Sequence, residues 1–472
     1  MKKMSLILSI IILLAVVAGA CSSSGENGDT VTLKVWNRYP ELNSTFQTFV
    51  EDFEKENPEI KIDLQNIPVS SQAAQYQTAV SEKSLPDIFT TSTVTLRELV
   101  DMDMAKDLSE FFTEEVQNDY YPGTWYENGT TIDNVPYVFP LFSPNHGVNM
   151  MFYNKDVLEE NNISESEIPQ TWDELIEIGK EIYKSSGGQT YGLMWYNADW
   201  ANAGVINYQS TAIFPETPED INYKEGTPDY NNVGKLESIE YLKTLQTENI
   251  MHPTSLEIDP PQAEANFAAG KAAFYIGGNW TGTNLLETSQ FENWGVVNMP
   301  TKDGQPWYHS ANGTNGLVVN NETEHWEEVK VFLNYAFDHI YGDVILKAGS
   351  TQPAKMDVEG EAPFPQYKEI TDLMTEQAIT VPDPTERSLE TIDFKREYTS
   401  QLSFSDIGEI AVGYLTGEVK DLESELNKVN TEANETFDKL LEETPDVTRE
   451  LYQFPNWEPL TPYTKEDYEA LE

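Results

Sequence analysis

A chain of 472 residues has room for ~2–4 domains. A formal charge of −51 sets its surface against nucleic acid and anionic membranes, so neither is expected as a binding surface. Aromatic residues at 11 % exclude a disordered acidic tail, and the acids are spread along the chain as on a solvated surface.

Lys2 and Lys3 precede the apolar run MSLILSIIILLAVV, and small residues then lead into Cys21. The run is shorter than the ~20 residues a spanning helix needs, so residues 1–20 read as an export signal. The segment resembles a bacterial lipoprotein signal, which implies lipid on Cys21 and a position on the extracellular face of the cell membrane. Cys21 is the single cysteine, which rules out an internal disulfide. Residues 21–30 form a polar tether.

VTLKVW at 31–36 alternates apolar and polar residues and predicts a strand. Phe46, Phe49, Val50 and Phe53 recur at helical spacing over 42–56, before Pro58. EIKIDL alternates again, a helix is predicted over 72–82, and LPDIFTT reads as a third strand. This rhythm predicts a parallel, doubly wound sheet, followed by a helix over 96–112. The stretch from Val135 to Asn161 breaks the rhythm, with extended runs on both sides of a turn at Ser143–Gly147. Thr171 and Glu174 predict a capping box, with Gly187 or Gly188 closing that helix. Two more helices, over 230–250 and 259–270, lead into the strand AAFYI. Strand, turn and helix follow over 313–337, and 405–443 is helical with a turn at Gly417.

No catalytic or cofactor motif emerges. The five histidines show no metal-ligand spacing, and G-x-S-x-G, G-x-G-x-x-G and C-x-x-C do not occur. DYNNVGKLESIE from Asp229 to Glu240 nearly fits a calcium loop, but Val233 stands where an oxygen ligand belongs. Asparagine caps starting a helix explain the same letters. No metal, no cofactor and no enzymatic activity are expected.

The motifs do match a family in their order. TLKVWNRYPELNSTFQTFVEDFEKENPEIKI, SLPDIF, NMMFYNKDVLEENNI…PQTWDELIEIGKEI, FAAGKAAFYIGGNW and YLTGEVKDLESELNKVNTEANETFDKLL run through most of the mature chain. In this the chain resembles the extracellular solute-binding lipoproteins of ABC importers, the carbohydrate-binding family that includes maltose-binding protein. Segments 210–230 and 355–400 and the tail from Phe454 depart from the pattern.

The resemblance implies an α/β, two-lobed periplasmic-binding-protein-like fold, each lobe a sheet flanked by helices, with the ligand cleft between lobes. It places lobe one at 31–143 and 312–349, and lobe two at 147–295 and 355–472, with crossings near 144–146, 296–311 and 350–354. It implies a monomer that captures a carbohydrate, specifically an oligosaccharide, and delivers it to the membrane subunits of an ABC permease. An exported glycan-degrading enzyme, or the same fold holding a polyamine, are the competing readings.

Sugars are bound by aromatic stacking on their C–H face and by polar groups on their hydroxyls. Trp280, after two glycines at a strand end, falls on the family position that stacks sugar; its other reading is a core tryptophan. Position adds Trp36 and Asn37, Thr91 and Ser92, Asn145 and His146, and the loop residues Trp195, Tyr196 and Trp200. Asn279, Trp307, His309, Asn312 and Gln352 complete the set, each with core packing or capping as its alternative.

Overall fold

The computed structural model describes residues 30–68, 71–90, 94–145, 149–310 and 316–471. The signal, Cys21 and nearly all of the tether, and the candidates Thr91, Ser92, His146 and Asn312, lie outside the described residues. For Trp200 only its place in the helix Asp199–Thr211 is described.

Two main sheets carry the chain. Strands β1 (Val31–Asn37), β2 (Ile60–Asn66) and β3 (Ile88–Thr90) alternate with helices Asn43–Glu56 and Gln72–Glu82, as the periodicity predicts. β1 lies parallel to both β2 and β3, with Val31 opposite Ile60. Strand β4 (Val138–Pro140) ends this run; β5 (Asn149–Asn154), β6 (Tyr191–Met194), β7 (Ala272–Gly278) and β8 (Trp294–Val297) form the second sheet. The chain then returns as β9 (Gly316–Val319), giving sheet orders β2-β1-β3-β9-β4 and β8-β5-β7-β6.

The parallel pairing expected of the first three strands forms, but strands reached by crossing between the sheets run the other way. β9 runs antiparallel to β3 and β4, and β5 runs antiparallel to β7 and β8. Each reversal occurs where the chain has come back from the other sheet, so no local right-handed crossover helix fixes the strand direction. The helix expected over 96–112 is also shorter. It stops at Asp101, because Asp103 turns left-handed at φ 60° and breaks the hydrogen-bond ladder.

Packing follows from the apolar faces. Phe49 and Phe53 set their rings against Phe332 and Tyr335 on the helix Trp326–Ile340, with centroids 5.2–5.8 Å apart. In the second sheet β5 and β7 are buried along their whole length, as central strands covered on both faces must be. The capping box at Thr171 and Glu174 forms and starts the helix Trp172–Ser185. Trp172 then stacks flat on Tyr241, 4.3 Å away, and its indole N–H donates to Gln209. The departing tail folds back, burying Phe454, Trp457 and Tyr463 against Tyr308 and Val381.

Candidate functional site

The two sheets are joined at a seam built from residues 348–354. From the first sheet's side, Ser143 N–H donates to Gln352 O and Ala354 N–H to Leu141 O, both at 2.9 Å. The Gln352 amide donates to the Tyr121 hydroxyl at 2.9 Å. From the other side, Asn279 at the end of β7 donates to Ser350 O at 2.5 Å. Thr283 donates to Ala348 O at 2.7 Å, and Tyr367 to Thr351 O at 2.9 Å. One strip of backbone is thus held by both halves, as a hinge requires.

Around this strip, buried polar atoms lack partners among the described residues. The hydroxyls of Ser143, Thr281, Ser350 and Thr351 and the carbonyl oxygen of Gln352 make no side-chain hydrogen bond. Native interiors leave few such atoms, and a cluster of them asks for water or a ligand. Four of these five were missed in the sequence, because lone Ser and Thr residues carry no spacing signal.

A second group sits on the other half. Trp307 stacks on Tyr208 at 5.2 Å with rings 23° apart, and His309 meets the same tyrosine edge-on at 5.7 Å. Both are buried, and neither the Trp307 indole N–H nor His309 Nε2 has a partner among the described residues. Burial pushes the His309 imidazole down to about 4, against a backbone hydrogen bond at Ser310 that opposes the shift. It is therefore neutral at physiological pH, able to donate or accept one hydrogen bond but carrying no charge.

Gly277 and Gly278 now have a physical reason. A Cβ on Gly278 would stand 2.4 Å from the Trp280 ring, and one on Gly277 2.3 Å from the Thr281 hydroxyl oxygen. The glycines let the half-buried indole lie against the strand end, at the N-cap of the helix Thr281–Ser289.

Other candidates fall elsewhere. Asn37 is buried and its amide is engaged by Tyr39 O, Asn43 and Asn66 at 3.0–3.2 Å, which fixes the end of β1. Trp36 is half-buried, edge-on to Tyr76 at 5.4 Å beside the helix Gln72–Glu82. Trp195 and Tyr196 are almost wholly buried in the second half's core, Tyr196 beside Tyr275 at 6.0 Å, though the Trp195 indole N–H is unpartnered. Asn145 is half-buried in the turn after Ser143. Glu264 was not foreseen: it is buried at 4 % exposure, accepts from Asn284 at 3.1 Å, and burial raises its carboxyl to about 7.

No group of three or more His, Cys, Asp or Glu among the described residues could hold a metal ion. The near-calcium loop is a helix start: Asn232 caps Val233–Thr247. The cation beside it is Lys235, fully buried, with its ammonium 3.1 Å from Asp229 O and 3.4 Å from Asp220.

The profile of the family described as "Bacterial extracellular solute-binding protein" matches residues 39–341, more than half of the chain. The chain belongs to that family. Among relatives of this solute-binding protein is a "Putative binding protein" of Brucella abortus, 23 % identical and covering 67 % of this chain and 74 % of its own. Another is the "Multiple sugar-binding protein" of Streptococcus mutans, 22 % identical over 71 % of this chain and 78 % of that one. Among solved structures, maltose-bound T. maritima MalE3 superposes with a TM-score of 0.65 at 17 % identity, over 85 % of this chain and 99 % of the other. A Bacillus licheniformis sugar transporter in complex with stachyose gives 0.62 at 21 %, over 87 % and 100 %. These likenesses establish the two-lobed fold of a solute-binding protein, a class that binds rather than transforms its ligand. No helix among the described residues is long and apolar enough to cross a membrane.

Proposed function

We propose that this solute-binding protein captures an extracellular oligosaccharide between its lobes and hands it to an ABC permease, without chemical turnover. In this reading one lobe takes 31–143 and 312–349 and the other 147–295 and 355–472, a division that the two separate main sheets support. Lipid on Cys21 holds the protein, as a monomer, at the outer face of the membrane. The observation that carries the reading is two groups of buried polar atoms without partners among the described residues: the Trp307 and His309 ring nitrogens against the Tyr208 ring, and the Gln352 carbonyl oxygen with the hydroxyls at the seam. A sugar supplies both a C–H face for a ring and hydroxyls for such atoms. Trp280, at the end of β7, is the proposed stacking platform. The names of the Streptococcus mutans relative and of the maltose- and stachyose-bound structures support a carbohydrate as the solute.

The test is a thermal-shift and calorimetric screen over mono- and oligosaccharides. Ligand at 100 times Kd stabilises the folded state by ~2.7 kcal/mol. Saturable binding of a glycan that is recovered intact supports the proposal; conversion of that glycan to new products, or binding by none of the panel, refutes it.

A further inference from the structure

The two segments that depart from the family pattern, 210–230 and 355–400, line a cavity of about 250 Å³ together with Ser310, Phe437 and Tyr452. Its floor is aromatic. Phe394 and Tyr398, from the helix Glu390–Gln401, meet Phe437 at 5.1 and 5.4 Å, and Tyr452 closes on Phe437 at 5.1 Å. Its rim is acidic, formed by Glu219, Asp220 and Asp383, with Lys395 as the one cation among the described lining residues.

Charge and hydrogen-bond accounting then separates the three acids. Asp220 is paired with the buried Lys235 at 3.4 Å, and Glu219 with Lys395 at 3.8 Å. Asp383 has no ion pair among the described residues; its carboxylate accepts the Thr385 N–H at 2.9 Å. Tyr452 is 5 % exposed and lines the cavity, yet its hydroxyl has no hydrogen-bond partner among the described residues. Both groups line the cavity, and the Asp383 charge adds to burial in raising the Tyr452 hydroxyl above its ordinary range. Lys395 is itself largely exposed, at 72 %, and Glu219, then Asp383 and Asp220, hold its ammonium above the usual range. All three carboxylates line the same cavity as Lys395.

We infer that this cavity is a second ligand site that takes a small organic ammonium ion. The apolar part of the ligand would rest on the aromatic floor, its cation against the ring faces and the Asp383 carboxylate, and a polar group on the Tyr452 hydroxyl. An anion is repelled by the rim, and a purely apolar guest leaves the Tyr452 hydroxyl unsatisfied. Lys395 competes from the mouth, where its flexible stem lets it swing into water.

The probe is choline, titrated calorimetrically into the full chain, with 3,3-dimethylbutan-1-ol as the uncharged analogue of the same shape. Choline should bind saturably at one site and the alcohol should not displace it. Asp383→Asn should weaken choline about 10- to 100-fold, the loss expected when the charge partner of a desolvated quaternary ammonium, which donates no hydrogen bond, is removed. Tyr452→Phe, which keeps the ring, should weaken it a few-fold without lowering the melting temperature. Lys395→Met, at an exposed side chain, should tighten it. If choline does not bind, if the alcohol binds equally well, or if Lys395→Met binds no more tightly, the inference is overturned. Should Asp383→Asn fail to fold, the Tyr452 and Lys395 variants still decide.

Discussion

Glu264 offers a quantitative check on the buried electrostatics. Its carboxyl rises from 4.5 to about 7, first through burial and then through the Asp259 charge, while the hydrogen bond from Asn284 pulls the other way. At ~1.36 kcal/mol per pH unit, holding it ionised costs the fold about 3 kcal/mol. The sign follows from proton counts. Between pH 4.5 and 7 the unfolded chain has released this proton and the folded chain keeps it, so stability falls as pH rises and levels off above 7. His309 runs the opposite way. Its folded value of about 4 lies below the ordinary 6.5, so stability falls as pH drops from 6.5 to 4. The two contributions nearly cancel between pH 4.5 and 6.5, and Glu264 acts alone from there to 7. Glu264→Gln keeps an acceptor for Asn284 and removes the charge. Urea unfolding of both proteins at pH 5 and pH 8 isolates the effect, since every other titration cancels in the difference. The variant should gain about 3 kcal/mol relative to wild type between those two pH values. A difference that does not change with pH would falsify the assignment of a buried, proton-holding Glu264.

Trp280→Ala should weaken glycan binding by ~2–4 kcal/mol if the indole is a cleft platform, whereas a core role would instead cost ~3–5 kcal/mol of stability. Melting temperature and affinity measured on one preparation separate the two, and a variant that melts low but binds normally retires the platform. Gly278→Ala, whose Cβ would meet that ring at 2.4 Å, should displace the indole and lose affinity in the same direction, by calorimetry. With a net charge of −51, the melting temperature should rise as salt is added from a low level, because counter-ions screen self-repulsion over ~10 Å at 0.1 M; a flat or falling curve counts against it. Cys21→Ala should abolish detergent-dependent membrane association of the processed protein, read by fractionation, and its persistence would sink the lipid anchor.

What could be read from the sequence was what neighbours in the chain decide. The 3.6-residue period of Phe46, Phe49, Val50 and Phe53, the Thr171–Glu174 box and the left-handed Gly187 and Gly417 each involve residues within a few positions, and each forms as expected. Capping and amphipathicity are local free energies, so local letters encode them. The reversed strand β9, the seam and the aromatic cavity are decided by groups far apart in the chain. Asn279 meets Ser350, Gln352 meets Tyr121 and Tyr452 meets Phe394 only in the folded chain. The same holds for Lys235: a calcium loop and a capped helix share their letters. Only the folded position of that ammonium, on Asp220 and the Asp229 carbonyl, shows which cation is there. Partners in space, not spacing in sequence, fix whether a buried polar atom is satisfied, and so tertiary structure alone shows which of the many polar side chains keep an unmet hydrogen bond.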